Sequence, residues 1–202
     1  MTTGTIRVAV RIAAAAALLY ATRRYYRNWG TTKEECQRWL PGDELIRQPS
    51  VRSTEGVWID ASDSDVWPWL VQIGHRDADR IDPARQGLQP GDVVHLAPTR
   101  WPGLRNRLSM SVVQVIAGEA VVLRGNRPGF PWEAVWSVHV QPHWQDRCRV
   151  LVRTRAQLRH PGDVILAELA GPLTALVVRR TLLAVKRRAQ GSALRAESHR
   201  AG

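Results

Sequence analysis

Six histidines and two cysteines are the residues with which this 202-residue chain could do metal or nucleophilic chemistry: His75, His95, His139, His143, His160, His199, Cys36 and Cys148. No histidine stands at a metal-ligand spacing with carboxylates. His139 and His143 would need one helix to face the same ion, and Gln141-Pro142 between them breaks it. Two cysteines exclude a disulfide scaffold and a four-cysteine zinc site, but they leave the redox compartment open. Cys148 alternates with valines and reads as a small buried hydrophobe. Asp92 and His95 have the makings of an acid–base pair, although a turn aspartate next to a strand-edge histidine accounts for the same residues. No nucleophile elbow, phosphate loop or dinucleotide fingerprint occurs. The expectation is therefore binding rather than catalysis, with no catalytic residue, metal or cofactor assigned.

The other chemistry on offer is apolar. Nine tryptophans stand beside a single phenylalanine, Phe130. Each indole brings a large hydrophobic surface and one N–H donor, which suits either core packing or the wall of a ligand pocket. Trp58, Trp67, Trp69, Trp132 and Trp136 fall within expected secondary structure.

The elements that position these residues read mostly with period two. In Arg147–Arg155, Cys148, Val150, Val152 and Thr154 share one face, with Arg147, Arg149, Arg153 and Arg155 opposite. This pattern predicts a half-buried antiparallel strand with a wet outer surface. Trp132–Val140 is its expected partner, joined through a turn at Pro142–Asp146, with Trp132, Trp136, Val138 and Val140 inward and His139 outward. Leu108–Ala117 and Ala120–Arg124 form another pair across a two-residue loop, Gly118-Glu119. Val51–Ile59 and Val93–Leu96 complete six strands in meander order, and Gly125–Gly129 reads as a turn. Ser62 or Asp63 caps a short helix through Val66–Ile73, with Pro68 in its first turn. A long helix follows from about Pro161 to Gln190, kinked or split at Gly171-Pro172. The expected fold is α+β: a curved antiparallel sheet with one long C-terminal helix laid across it, plus an extra N-terminal helix.

The net charge of +11 is unevenly placed. Residues 1–29 hold five arginines and no acid, and residues 179–202 hold seven basic residues against Glu197. Between them, 17 basic and 17 acidic residues balance. A neutral body with basic ends fits an anionic membrane surface better than a nucleic-acid groove, so nucleic acid is not an expected partner. The apolar run Ile12–Ala21 is only ten residues long, short for a span. It reads as an interfacial or marginally spanning anchor, with Tyr20, Tyr25, Tyr26 and Trp29 beside arginines at its C-terminal edge. The expected division is a helix at 1–29 that anchors the chain, a linker at 30–49, a folded domain at 50–190 and a mobile basic tail at 191–202. The expected location is the cytoplasm, at or on the cytoplasmic membrane.

Residues 66–74, VWPWLVQIG, together with Leu88-Gln89-Pro90-Gly91-Asp92-Val93-Val94, resemble the START-like helix-grip superfamily (SRPBCC, polyketide cyclase/dehydrase and lipid-transport type), in a bacterial subgroup of unassigned activity. The strand around Leu151–Arg155 and the basic-ended last helix are similar too, so the resemblance covers about residues 50–190. It implies six or seven antiparallel strands gripping the long helix around a hydrophobic cavity. It also implies a small hydrophobic ligand, lipid or polyketide-like, bound there. Where relatives carry an aromatic-rich helical insertion after the signature glycine, this chain runs directly through His75–Arg80, which leaves the cavity more open or smaller. Trp132, Trp136, Met110, Val112 and Trp69 are the expected lining from the sheet and short helix, with Leu173, Leu176 and Val177 from the long one. Two alternatives use the same fold: a cyclase/dehydrase-type enzyme, and an interaction protein whose core is filled by its own side chains.

Overall fold

The computed structural model describes residues 3–73, 80–96, 109–125 and 132–200. Six strands, β1 (Val51–Ile59), β2 (Val93–His95), β3 (Ser109–Ile116), β4 (Ala120–Arg124), β5 (Trp132–Trp144) and β6 (Arg147–Leu158), form one antiparallel sheet of order β1-β6-β5-β4-β3-β2. From β2 onward each strand pairs with its chain neighbour. β1 joins the far end, on β6, instead of beginning the meander. Among the described residues four α-helices accompany the sheet: α1 (Thr3–Arg27), α2 (Lys33–Gln37), α3 (Asp63–Val71) and α4 (Asp163–Arg200).

Alternation decides the inner face. Val57 and Ile59, Val121 and Leu123, Trp136, Val138 and Val140, and Cys148, Val150 and Val152 all enter one core cluster with Val66, Trp69 and Leu70 of α3. α4 adds Val178, Leu182, Val185 and Ala189 to it, packing chiefly on β1 and α3. β5 runs through Pro142, and the turn tightens only at Gln145-Asp146. A register irregularity between Pro142 and Trp144 accommodates the residue that has no N–H to give. The β3–β4 loop has three residues, Ala117–Glu119, with Gly118 at φ +75°.

The helices depart from expectation in three places. α3 starts at Asp63, capped by Ser62, whose hydroxyl accepts the Asp65 N–H at 3.1 Å; Pro68 thus sits in the helix body beyond the first turn. α4 passes through Gly171-Pro172 without a break, where a kink or split was expected, and stays helical past Gly191 to Arg200. The pair marks a contact: a Cβ on Gly171 would stand 3.0 Å from Tyr26 Cε2, so the glycine lets α1 approach, while Pro172 is exposed. The run after Ile73 through Asp79, and the turn after Gly125, lie outside the described residues.

The outer face holds the largest correction. Arg149, Arg153 and Arg155, expected in water, are buried, and so is His139. Residues 30–47 lie over them. α2 is fixed by a capping box in which the Thr32 hydroxyl accepts the Glu35 N–H and the Glu35 carboxylate accepts the Thr32 N–H. Glu35 also receives Arg149 Nε and Nη2 at 2.7 and 3.0 Å. Arg153 donates to the Asp43 carboxylate at 2.6 Å and to the carbonyls of Arg38 and Glu35. Arg155 pairs with Asp43 Oδ1 at 2.9 Å and donates to the Ile46 and Arg47 carbonyls. Three guanidiniums thereby satisfy the backbone of a segment too short to carry its own ladder.

The C-terminal end of α1 is fastened to α4 by one carboxylate. Glu168 accepts Arg27 Nη2 at 2.8 Å, the Tyr26 hydroxyl at 3.2 Å and Arg23 Nη1 at 3.5 Å. The rest of α1 leaves Ile6, Val8, Val10, Ile12 and Leu18 exposed. Among the described residues, no helix is long and apolar enough to cross a membrane, which removes the spanning form of the expected anchor.

Candidate ligand site on the inner face of the sheet

The expected site residues separate by depth. Trp69, Val112 and Trp136 are buried in the main core cluster, and Met110 packs half-buried against it. Trp132 is half-buried at the start of β5, with Ala134 next on the same face. Val177 is half-buried on α4. Leu173 and Leu176 point elsewhere: they are 47% and 45% exposed, while Ala175, Val178, Leu182, Val185 and Ala189 form the buried stripe. With about 100° between successive residues, Leu176 is turned a quarter-circle and Leu173 about half a circle from Ala175. The helix therefore meets the sheet and α3 mainly through small and β-branched residues.

Two polar atoms in this interior are orphaned. Trp69 Nε1 and Trp136 Nε1 are buried donors with no hydrogen-bond partner among the described residues. α3 packs against β5 as well as α4, so both indoles belong to one layer of the core. His95 Nδ1 is likewise buried and unpartnered, while Val94 and Leu96 on either side enter the same cluster. Asp92 does not serve His95. It is exposed, and its carboxylate accepts the Gln89 N–H at 2.8 Å, closing the turn before β2.

Glu55 is a polar residue that sequence reasoning missed. It shares the inner side of β1 with Val57 and Ile59, is 2% exposed, and receives Arg179 Nε from α4 at 3.3 Å. Burial pushes its carboxyl up to about 8, against the pull of the Arg179 guanidinium. Arg179 also donates to the Tyr25 and Tyr26 carbonyls and lies over Trp29, so one cation joins α4, β1 and the end of α1. The signal was legible, since an acid two and four residues before inward apolar positions breaks the alternation.

On the outer side, His139 bonds Ser137 Oγ at 2.9 Å; burial first, then the Arg153 charge, lowers the imidazole to about 4 and keeps it neutral. A separate cleft of 790 Å³ is lined in part by Glu35, Trp58, Glu119, His143 and Arg149. Its groups are spent on one another: Arg149 on Glu35, and Trp58 between Arg147, Arg149 and His143 at 4.8–5.1 Å. Among the described residues no cluster of histidine, cysteine and acid could hold a metal ion.

The two thiols should behave differently. Burial and then Asp63, Asp60 and Asp65 push Cys148 up to about 12, whereas Cys36 is half-buried beside Thr31 Oγ1. A maleimide added to the native protein is expected to label Cys36 and spare Cys148, and intact-mass analysis would count one adduct before unfolding and two after. Two adducts on the folded chain would place Cys148 nearer the surface than described.

An α+β body with six antiparallel strands and a long C-terminal helix defines the class as helix-grip. No protein-family model matches the sequence, and no curated protein matches it. Among solved structures, a point mutant of norcoclaurine synthase from Thalictrum flavum in complex with a transition state analogue is similar with a TM-score of 0.49 and 16% identity, over 71% of this chain and 96% of that one. The di-domain ARO/CYC protein BexL of the BE-7585A biosynthetic pathway gives 0.44 and 14%, over 68% of this chain and 46% of its own. A conserved protein from Geobacillus kaustophilus gives 0.46 and 12%, over 70% and 97%. At these identities the likeness concerns the arrangement of the chain alone.

Proposed function

We propose that this chain binds a small hydrophobic molecule on the inner face of the sheet, between β3–β5 and α3, at an anionic membrane surface. The observation that carries the binding reading is the pair of buried, unpartnered indole N–H groups of Trp69 and Trp136 in an otherwise apolar cluster. A buried donor without a partner costs about 1–3 kcal/mol, a cost that a bound molecule supplying an acceptor would remove. Met110 and Trp132, half-buried at the edge of the same face, extend the apolar lining. The driving force would be burial of apolar ligand surface, about 25 cal/mol per Å² before the costs of association.

Membrane attachment rests on separate residues. α1 bears arginines and no acid among exposed aliphatic side chains, and Ile165, Leu166 and Leu169 lie exposed around its fastening point at Glu168. Its acid-free run of arginines favours an anionic surface. In flotation with full-length protein, vesicles containing phosphatidylglycerol should carry the chain and pure phosphatidylcholine vesicles should not, with salt weakening the association. Equal partition between the two would end the membrane reading. Binding of 1-aminoanthracene tests the ligand reading: a saturable fluorescence rise with one site per chain is expected. A non-saturating response equal to that of the unfolded chain would refute it.

A further inference from the structure

Resting on that binding reading, we infer that the ligand is a neutral apolar molecule whose buried end presents an oxygen that accepts hydrogen bonds, of the ketone, quinone or ester kind, held by the indole N–H groups of Trp69 and Trp136. Five buried side-chain polar atoms have no hydrogen-bond partner among the described residues: Asp43 Oδ1, Arg147 Nε, His95 Nδ1, Trp69 Nε1 and Trp136 Nε1. The first two are ion-paired, Asp43 with Arg155 at 2.9 Å and Arg147 with Asp60 at 3.3 Å. His95 Nδ1 donates or accepts according to its tautomer, so it does not discriminate. What remains is two indoles, each 4% exposed, and an indole nitrogen donates only.

The arrangement therefore selects by sign. A carbonyl oxygen has two lone pairs and satisfies a donor without bringing one of its own. A hydroxyl can accept as well, but its own hydrogen then needs an acceptor, and neither indole supplies one. A hydrocarbon of the same shape leaves both donors orphaned. An anion would in addition have to give up its hydration in this apolar cluster, and the cations described nearest it are taken up: Arg179 by Glu55 and two backbone carbonyls, Lys186 by the Trp58 carbonyl, and Arg188 against the Trp69 ring at 5.8 Å.

Fluorenone, fluorene and 9-fluorenol share one three-ring frame and differ only at the bridging carbon, so they are the probes. Their affinities for the full-length protein are to be measured by displacement of 1-aminoanthracene, in wild type, Trp69→Phe and Trp136→Phe. The quantity read is the fluorenone-to-fluorene affinity ratio, in which the common frame cancels and the variants are compared with wild type in the same buffer. Loss of one hydrogen bond should lower that ratio about five- to tenfold in each variant, with fluorene binding retained. An unchanged ratio with fluorene still bound would overturn the acceptor assignment and leave the binding reading intact. Failure of all three compounds to bind wild type would overturn the binding reading and this inference with it. If a variant does not fold, the wild-type protein decides: two indole N–H resonances should move downfield, as donors entering a hydrogen bond do, with fluorenone and not with fluorene. An equal downfield shift with both would refute the assignment.

Discussion

Replacing Asp43 by alanine is expected to destabilise the fold by about 3–5 kcal/mol, the cost of leaving buried cations without their anion. Asp43 is 1% exposed, and its two oxygens divide between Arg153 and Arg155, both buried. It also accepts the Leu40 N–H at 3.1 Å and so fixes the turn that lays residues 40–47 on the sheet. Removing the carboxylate orphans two guanidiniums and one backbone donor together. Asp43→Asn keeps the shape but not the charge, so it should fall between alanine and wild type. The control is Glu34→Ala, which breaks the exposed pair with Arg38 and should leave stability essentially unchanged. Urea denaturation of the three variants measures this. An Asp43→Ala midpoint equal to wild type would mean that the covering segment contributes nothing to the fold.

Glu55 should give stability an unusual slope with pH. Its folded carboxyl sits near 8, raised from a usual value of 4.5. Between those values the folded chain holds a proton that the unfolded chain has released, so stability falls as pH rises. The contribution is whole below about 4.5 and is lost as pH passes through 8. At 1.36 kcal/mol per unit, the upper bound is about 5 kcal/mol. His139 acts in the opposite sense, because its folded value of about 4 lies below the usual 6.5. Its contribution is present above 6.5 and lost as pH falls toward 4, so the two slopes oppose each other at lower pH. The clean window for Glu55 is therefore pH 6.5 to 8. Glu55→Gln keeps an acceptor for Arg179 and removes the titration. Relative to wild type it should gain stability steadily across that window, measured by thermal melts at fixed salt. Parallel curves for the two proteins would show that Arg179 holds the carboxylate ionised throughout.

Much of this fold was legible because alternation is a strong signal. Val51–Ile59, Ala120–Arg124 and the start of β6 fall where period-two reading puts them, and Trp69, Val112 and Trp136 fall in the core. What alternation does not carry is whether a shared face is covered. Arg149, Arg153 and Arg155 look the same in a sequence whether they meet water or the carbonyls of residues 30–47. The phase of α4 was misread for a related reason. Leu166, Leu169, Leu173 and Leu176 make the more conspicuous apolar series, yet the buried stripe uses Ala175 and Ala189, whose small side chains allow close approach. Pro172 suggested a kink or split, yet the helix runs through it without a break, and the neighbouring glycine seats Tyr26. The orphaned indoles were beyond reach of any pattern, since only coordinates show which donors lack acceptors.

Native mass spectrometry of the full-length chain, purified gently from its natural host, tests the ligand reading most directly. The account predicts a species heavier than the 22.7 kDa chain by one small molecule, released on denaturation and recovered in organic extract as a neutral, oxygen-bearing apolar compound. A bare chain mass that also fails to take up fluorenone or fluorene would contradict it, and would identify the inner face as a core packed for stability alone.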